Sequence, residues 1–265
     1  MTRPGVLRQL VSRDRLLTLT AAAMVAGLIV VMAVAPWDTR TITGINPWIK
    51  PAKFLASVAI FLATMAWFMP EVDAPPRTRQ RLARIFAGTM IIEIVCIAVQ
   101  AARGTTSHFN YATRLDAALF QVMGIAITIN TVAAAVLLWH VRRDDPAERA
   151  GYVHGVRLGL GVFVLDSLQG FLMVANLGHS VPGPDGGPGL PLVNWAVDRG
   201  DLRVAHFFAL HALQALPVLG FLLDRSGVLA PARRRFVVSV AALVWAAAVG
   251  AMLVLALRGQ PLLTR

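Results

Sequence analysis

Residues 236–257 read FVVSVAALVWAAAVGAMLVLAL, a run of 22 positions without one ionisable side chain. A bilayer core of ~30 Å is crossed by ~20 apolar residues at 1.5 Å rise. A helix apolar on every side has lipid or a large protein core as its surroundings. Working back from it, six further stretches of the same kind lie near Leu16 to Val34, Phe54 to Met69, Ile85 to Ala102, Leu115 to Val141, Val156 to Leu177 and Val204 to Leu223. The second is short for a span. Pro47 and Pro51 suit a helix start and let it begin near Trp48.

The composition agrees. Of 265 residues, 57% are hydrophobic and 15% charged, and the mean hydropathy is +0.64. An ordinary globular domain has ~45–50% apolar and ~25% charged residues. A disordered chain, a collagen-like chain and a small disulfide scaffold are excluded, the last because Cys96 is the single cysteine. The expected fold is an all-α membrane protein, one seven-helix domain over residues 1–265, multi-pass in the inner (plasma) membrane. The first span also has the look of a signal peptide, with Arg3, Arg8, Arg13 and Arg15 before it and Ala33-Val34-Ala35 at its end. Its length exceeds a 7–15 residue h-region and Pro36 would follow the cut, so it reads as an anchor.

The net charge of +11 resembles a nucleic-acid footprint until the cations are placed. The eight segments outside the apolar cores carry 4, 3, 4, 2, 4, 2, 4 and 2 Lys+Arg in chain order, with Arg157 counted in the fifth. The odd-numbered segments are the richer ones throughout. By the positive-inside rule the N-terminus is cytoplasmic and the C-terminus extracytoplasmic. The expected partner is the lipid bilayer, with no nucleic acid. Arg233, Arg234 and Arg235 also suit anionic headgroups.

Polar groups inside spans cost free energy, ~2.5–3.5 kcal/mol for a central Asp, and so point to function. Glu93 sits in the third span and Asp166 in the fifth. Glu93, Cys96, Gln100 and Arg103 fall at 0, +3, +7 and +10; Asp166, Gln169, Met173 and Asn176 repeat those offsets. In the expected topology both stripes climb toward the outer surface. Gln121 and Asn130 in the fourth span, and Arg203, His206, His211 and Gln214 in the sixth, enter from that same side. His206 and His211 are five apart, ~140° round a helix, so they are not an i, i+4 metal pair. His211 shares a face with Gln214 and is the preferred inward histidine. Pro217 reads equally as a cavity-widening kink or a packing kink.

Outside the spans, RGTTSHFN at 103–110 brings His108, and the Gly/Pro-rich 178–203 segment reads as a cover over an outer cavity, with Asp201 as N-cap of the sixth helix. Lys50, Lys53 and Ser57 read first as lysines snorkelling to headgroups; the alternative turns one lysine toward Glu93 or Asp166. Small residues four apart occur at Gly151/Gly155/Gly159, Ala23/Gly27 and Ala242/Ala246/Gly250. They read first as packing within one bundle, and alternatively, for the first set, as a homo-oligomer seam.

The segments INPWIKPAKF at 45–54, RGTTSHFN at 103–110, PDGGPGLPLVNW at 184–195 and GDLRVAHFFALHALQ at 200–214 together resemble a family of uncharacterised bacterial polytopic membrane proteins. The resemblance implies a self-contained membrane domain of bacterial origin and supplies no catalytic residues. Rhodopsins fit worse, for lack of a lysine in the last helix, as do membrane hydrolases with an HxxxH pair.

Three functions follow as expectations. The first is a polar cavity open to the outer face that binds or translocates a small polar ligand or ion, with Glu93, Gln100, Arg103, His108, Gln121, Asp166, Gln169, His206, His211 and Gln214 as candidates. The second is a metal- or haem-binding redox protein or enzyme using His211 with His206 or His108. The third is a structural or assembly protein whose polar stripes satisfy one another. No GxSxG, CxxC or HExxH motif indicates a reaction.

Overall fold

The structure, a computed structural model, describes residues 5–143 and 146–263; Arg3 and Arg265 of the charge count lie outside them. Among the described residues, seven helices are long and apolar enough to cross a membrane. The chain falls into two compact units, Met1–Ala133 and Ala134–Arg265.

The first unit holds α1 (Val6–Arg13), α2 (Arg15–Val34), α3 (Ile49–Phe68), α4 (Pro76–Ala102) and most of α5 (Arg114–His140). Asp14 separates α1 from α2: its backbone is extended, and its carboxylate accepts the Leu17 N–H at 2.9 Å as the N-cap of α2. α3 starts at Ile49 with Pro51 in its first turn, as the sequence suggests, where a missing N–H costs nothing. The core lies among α2, α3 and α4, with Leu17, Leu62, Met65 and Phe86 fully buried and the Phe61 and Phe86 rings edge to face. The outward sides stay apolar, as at Ile29 and Val30 of α2, which suits lipid rather than water.

The second unit holds α6 (Ala150–Ser167), α7 (Gln169–Ala175), α8 (Leu202–Ser226) and α9 (Pro231–Leu257). Glycines set the approach of α6 to α8. A Cβ on Gly151 would lie 2.7 Å from the Gly220 oxygen, one on Gly155 2.4 Å from the Leu216 oxygen, and one on Gly159 2.8 Å from the Ala212 oxygen. The facing numbers fall on α8 as they rise on α6, so the two helices run antiparallel with backbones in contact. Within the chain, α8 therefore occupies the face of Gly151, Gly155 and Gly159 in this seam, the packing that the sequence suggests first. Pro217 is buried in the same seam against Gly155, so its role there is packing. On α9 only Ala242 of the small-residue stripe is buried, with Ala212 and Leu216; Ala246 and Gly250 are exposed.

The fifth span tightens at Leu168, the break between α6 and α7, where the backbone keeps helical dihedrals, φ −67° and ψ −26°. The Leu168 N–H bonds back to the Leu165 oxygen and the Phe171 N–H to the Leu168 oxygen, i to i+3 steps in place of the α-helical i to i+4.

Candidate functional site

The break in the fifth span immediately follows Asp166. Asp166 is 8% exposed, and its Oδ2 lies 2.8 Å from Nδ1 of His206 on α8. The two atoms lie within ion-pair distance but are not aligned as a hydrogen bond. The seam explains the pairing. Each step of four along α6 from Gly151 moves four back along α8 from Gly220, which brings Asp166 opposite Ala205 and His206. Immediately after Leu168, the buried Gln169 donates from Nε2 to the Leu202 oxygen at 2.8 Å, tying α7 to the start of α8.

His206 thus faces Asp166, while His211, the inward histidine expected from the sequence, is equally half-buried on another side of α8. The seam face of α8 runs through Ala205, Ala209, Ala212, Leu216 and Gly220. His206 flanks that face, whereas His211 is set off on its other side. The His211 ring stacks on Phe207 with centroids 4.1 Å apart, and Nδ1 lies 2.7 Å from the Phe207 oxygen. That contact places the proton on Nδ1. Gln214 is half-buried on the same helix.

The 178–203 segment is pinned above this end of α8. A short antiparallel ladder pairs β1 (Ser180–Val181) with β2 (Gly200–Asp201). A Cβ on Gly200 would lie 2.0 Å from the Ala256 oxygen of α9, so only glycine fits. The Asp185 carboxylate accepts the N–H groups of His179 and Ser180 at 2.8 and 2.9 Å. His179 lies between Asp185, at 3.2 Å, and Asp201, at 3.7 Å. Asp201 caps α8 as expected, accepting the Arg203 N–H at 3.0 Å, and pairs with the Arg203 side chain at 2.6 Å. Burial pushes the Asp201 carboxyl up, but Arg203, His179 and the Ala196 N–H outweigh it and hold it below the usual carboxylate range.

In the first unit, Gln100 and Arg103 meet Asp116 at the foot of α5. Asp116 accepts from Gln100 Nε2 at 2.9 Å, from Arg103 at 2.5 Å and from the Thr113 hydroxyl at 2.6 Å, while its own N–H donates to Thr113 Oγ1. Arg103 also bonds the Gln100 side-chain oxygen. Asn110 closes the loop by donating to Thr105 Oγ1 and the Thr106 oxygen. This is a capping box joined to an ion pair, and it fixes the 103–113 turn. His108 packs among Phe54, Phe109 and Phe120, with ring centroids 5.8 to 6.0 Å away. Asn130 is buried and accepts from Thr89 Oγ1 at 3.1 Å; Gln121 lies on an exposed face of α5. Glu93 is 5% exposed on α4.

Glu93, Gln100, Arg103, His108 and Gln121 belong to the first unit; Asp166, Gln169, His206, His211 and Gln214 belong to the second. Among the described residues no three His, Cys, Asp or Glu converge as metal ligands would.

Two anchoring carboxylates were missed in the sequence. Asp116 was signalled by T-x-x-D ahead of an apolar run. Asp224 accepts the Gly151 and Tyr152 N–H groups at 2.9 and 2.7 Å and lies 3.3 Å from Arg234. It thus satisfies the start of α6 from another helix, a contact that no local pattern announces. Comparisons with protein-family models, curated proteins and solved structures return no match for the chain.

Proposed function

We propose that this chain is an integral protein of a bacterial inner membrane that binds or translocates a small polar ligand or ion, with Asp166 and His206 as its binding pair. The seven apolar helices support the membrane reading. The arginine bias between alternate segments supports a cytoplasmic N-terminus and an outward-facing site. The resemblance to bacterial polytopic proteins supports the origin.

The observation that carries the reading is the 2.8 Å approach of Asp166 to His206 beside the break in a spanning helix. A carboxylate in a span is costly and points to function. Acidic groups beside irregular turns of a spanning helix suit ions and polar substrates. Here a carboxylate oxygen of Asp166 and the Nδ1 of His206 lie 2.8 Å apart, and neither atom has an aligned hydrogen-bond partner. A proton, a monovalent cation or a small ammonium compound suits this pair.

The test is thermal unfolding of purified protein in detergent, from pH 5 to 8 and with sodium, potassium or ammonium chloride at constant ionic strength. Binding at 100 times Kd stabilises by ~2.7 kcal/mol, several degrees in Tm. Wild type should shift with one of these probes, and Asp166→Asn and His206→Gln should fold yet lose the shift. Absence of any probe-dependent shift in the wild type would sink the proposal.

A further inference from the structure

We infer that α1 is a basic amphipathic helix lying in the membrane plane, where it binds anionic phospholipid headgroups. This rests on the membrane reading but not on Asp166 or His206. α1 has eight residues, VLRQLVSR, with no buried residue and no acidic side chain. At 100° per residue its surface divides into three edges. Gln9 and Arg13 form the edge against the unit: Arg13 donates to the Trp67 oxygen at 2.8 Å and stacks over the Trp67 ring at 4.1 Å. Leu7 and Val11 form an apolar edge, 65% and 39% exposed, which half-buried Leu10 and the exposed Val6 continue toward Arg13. Arg8 and Ser12 form an exposed polar edge next to it.

Three observations select lipid as the occupant of the apolar edge. The extended Asp14 breaks the chain between α1 and the first span, so α1 need not continue across the bilayer. The Arg13 stack on Trp67 fixes α1 against the end of α3, another spanning helix, at the level where aromatic residues mark membrane interfaces. Arg8 and the exposed Arg15 then place cations at headgroup height, with the apolar edge toward the acyl chains. A soluble partner would leave the exposed Val6, Leu7 and Val11 unprotected in its absence, whereas the bilayer is always present beside the first span.

The full-length protein, with Cys96→Ser and one new cysteine at position 7, 8, 11 or 12, is spin-labelled and reconstituted into phosphatidylcholine vesicles with or without 30% phosphatidylglycerol. Collisions with oxygen should exceed those with a water-soluble nickel chelate at 7 and 11, and the order should invert at 8 and 12. Doxyl-labelled phosphatidylglycerol should quench a fluorophore at position 11 in preference to doxyl-phosphatidylcholine. Replacing both Arg8 and Arg15 by Gln should reduce that preference severalfold, since each cation near an anionic surface changes association about fivefold. Equal nickel access at all four positions would overturn the inference by placing α1 in water. So would short distances between position-11 labels on two copies, which would give the edge to a second chain, or a quenching preference unchanged by the double replacement.

Discussion

Gly155→Ala tests the seam that places His206 opposite Asp166. The new Cβ would lie 2.4 Å from the Leu216 oxygen, 2.8 Å from the Leu216 carbonyl carbon and 2.9 Å from the Pro217 Cα, all backbone atoms. Ordinary contact begins near 3.4 Å, so the two backbones must part by about 1 Å. Overpacking of this kind costs ~1–3 kcal/mol, and alanine returns ~0.5–1 kcal/mol through its better helix propensity. The net loss of ~1–2 kcal/mol lowers Tm by ~2–8 °C for a chain of this size. Gly161→Ala, on the same helix, is the control: its Cβ meets nothing within 4 Å, so it keeps the propensity gain and leaves Tm unchanged or slightly raised. Unfolding in detergent followed by intrinsic fluorescence measures both. Equal shifts in the same direction would refute the seam, because propensity alone treats the two positions alike.

Asp224→Ala should cost about 3 kcal/mol or more in the same assay, since it orphans two N–H groups at the start of α6 and leaves the buried Arg234 without its carboxylate. Asp116→Asn should raise amide exchange across 103–113 while leaving that of 178–203 unchanged; uniform protection would remove the anchoring role of Asp116. Asp201 has a depressed carboxyl pKa in the folded chain, so its contribution is complete above the ordinary carboxylate range and is lost as pH falls through the folded value. Acid should therefore open 178–203 in hydrogen exchange, and Asp201→Asn should open it already at neutral pH; protection that is flat with pH would contradict this. A C-terminal alkaline phosphatase fusion should be active and a C-terminal fluorescent-protein fusion dark, as an outward C-terminus requires; the reverse pattern would invert the topology.

The spans were legible because lipid demands apolar length and nothing local competes with it: all seven appear, although the third and fifth begin nine residues earlier than expected, at Pro76 and Ala147, where charged first turns hide the helix start. The break at Leu168 was not, since no Pro or Gly stands there and the sequence reads as unbroken helix. Asp166, Gln169 and Asp201 were found because a polar group in or beside an apolar run stands out. That His206 rather than His211 meets Asp166 was hidden for a geometric reason. Spacing says which residues share a face, but the inward face of α8 is set by Gly151, Gly155 and Gly159 on another helix. Gln100 and Arg103 were seen as a stripe, yet their partner Asp116 lies beyond a turn, so the stripe alone suggested a ligand where the fold supplies a carboxylate.

The central claim is that Asp166 and His206 act as one binding unit, and a double-mutant cycle on the probe-dependent Tm shift tests it most directly. Wild type, Asp166→Asn, His206→Gln and the double variant are unfolded with and without the ion or pH step that stabilises the wild type. The account predicts that each single replacement abolishes the shift and that the double replacement loses no more, the signature of coupled residues. Shifts retained in both single variants, or losses that simply add, would contradict it.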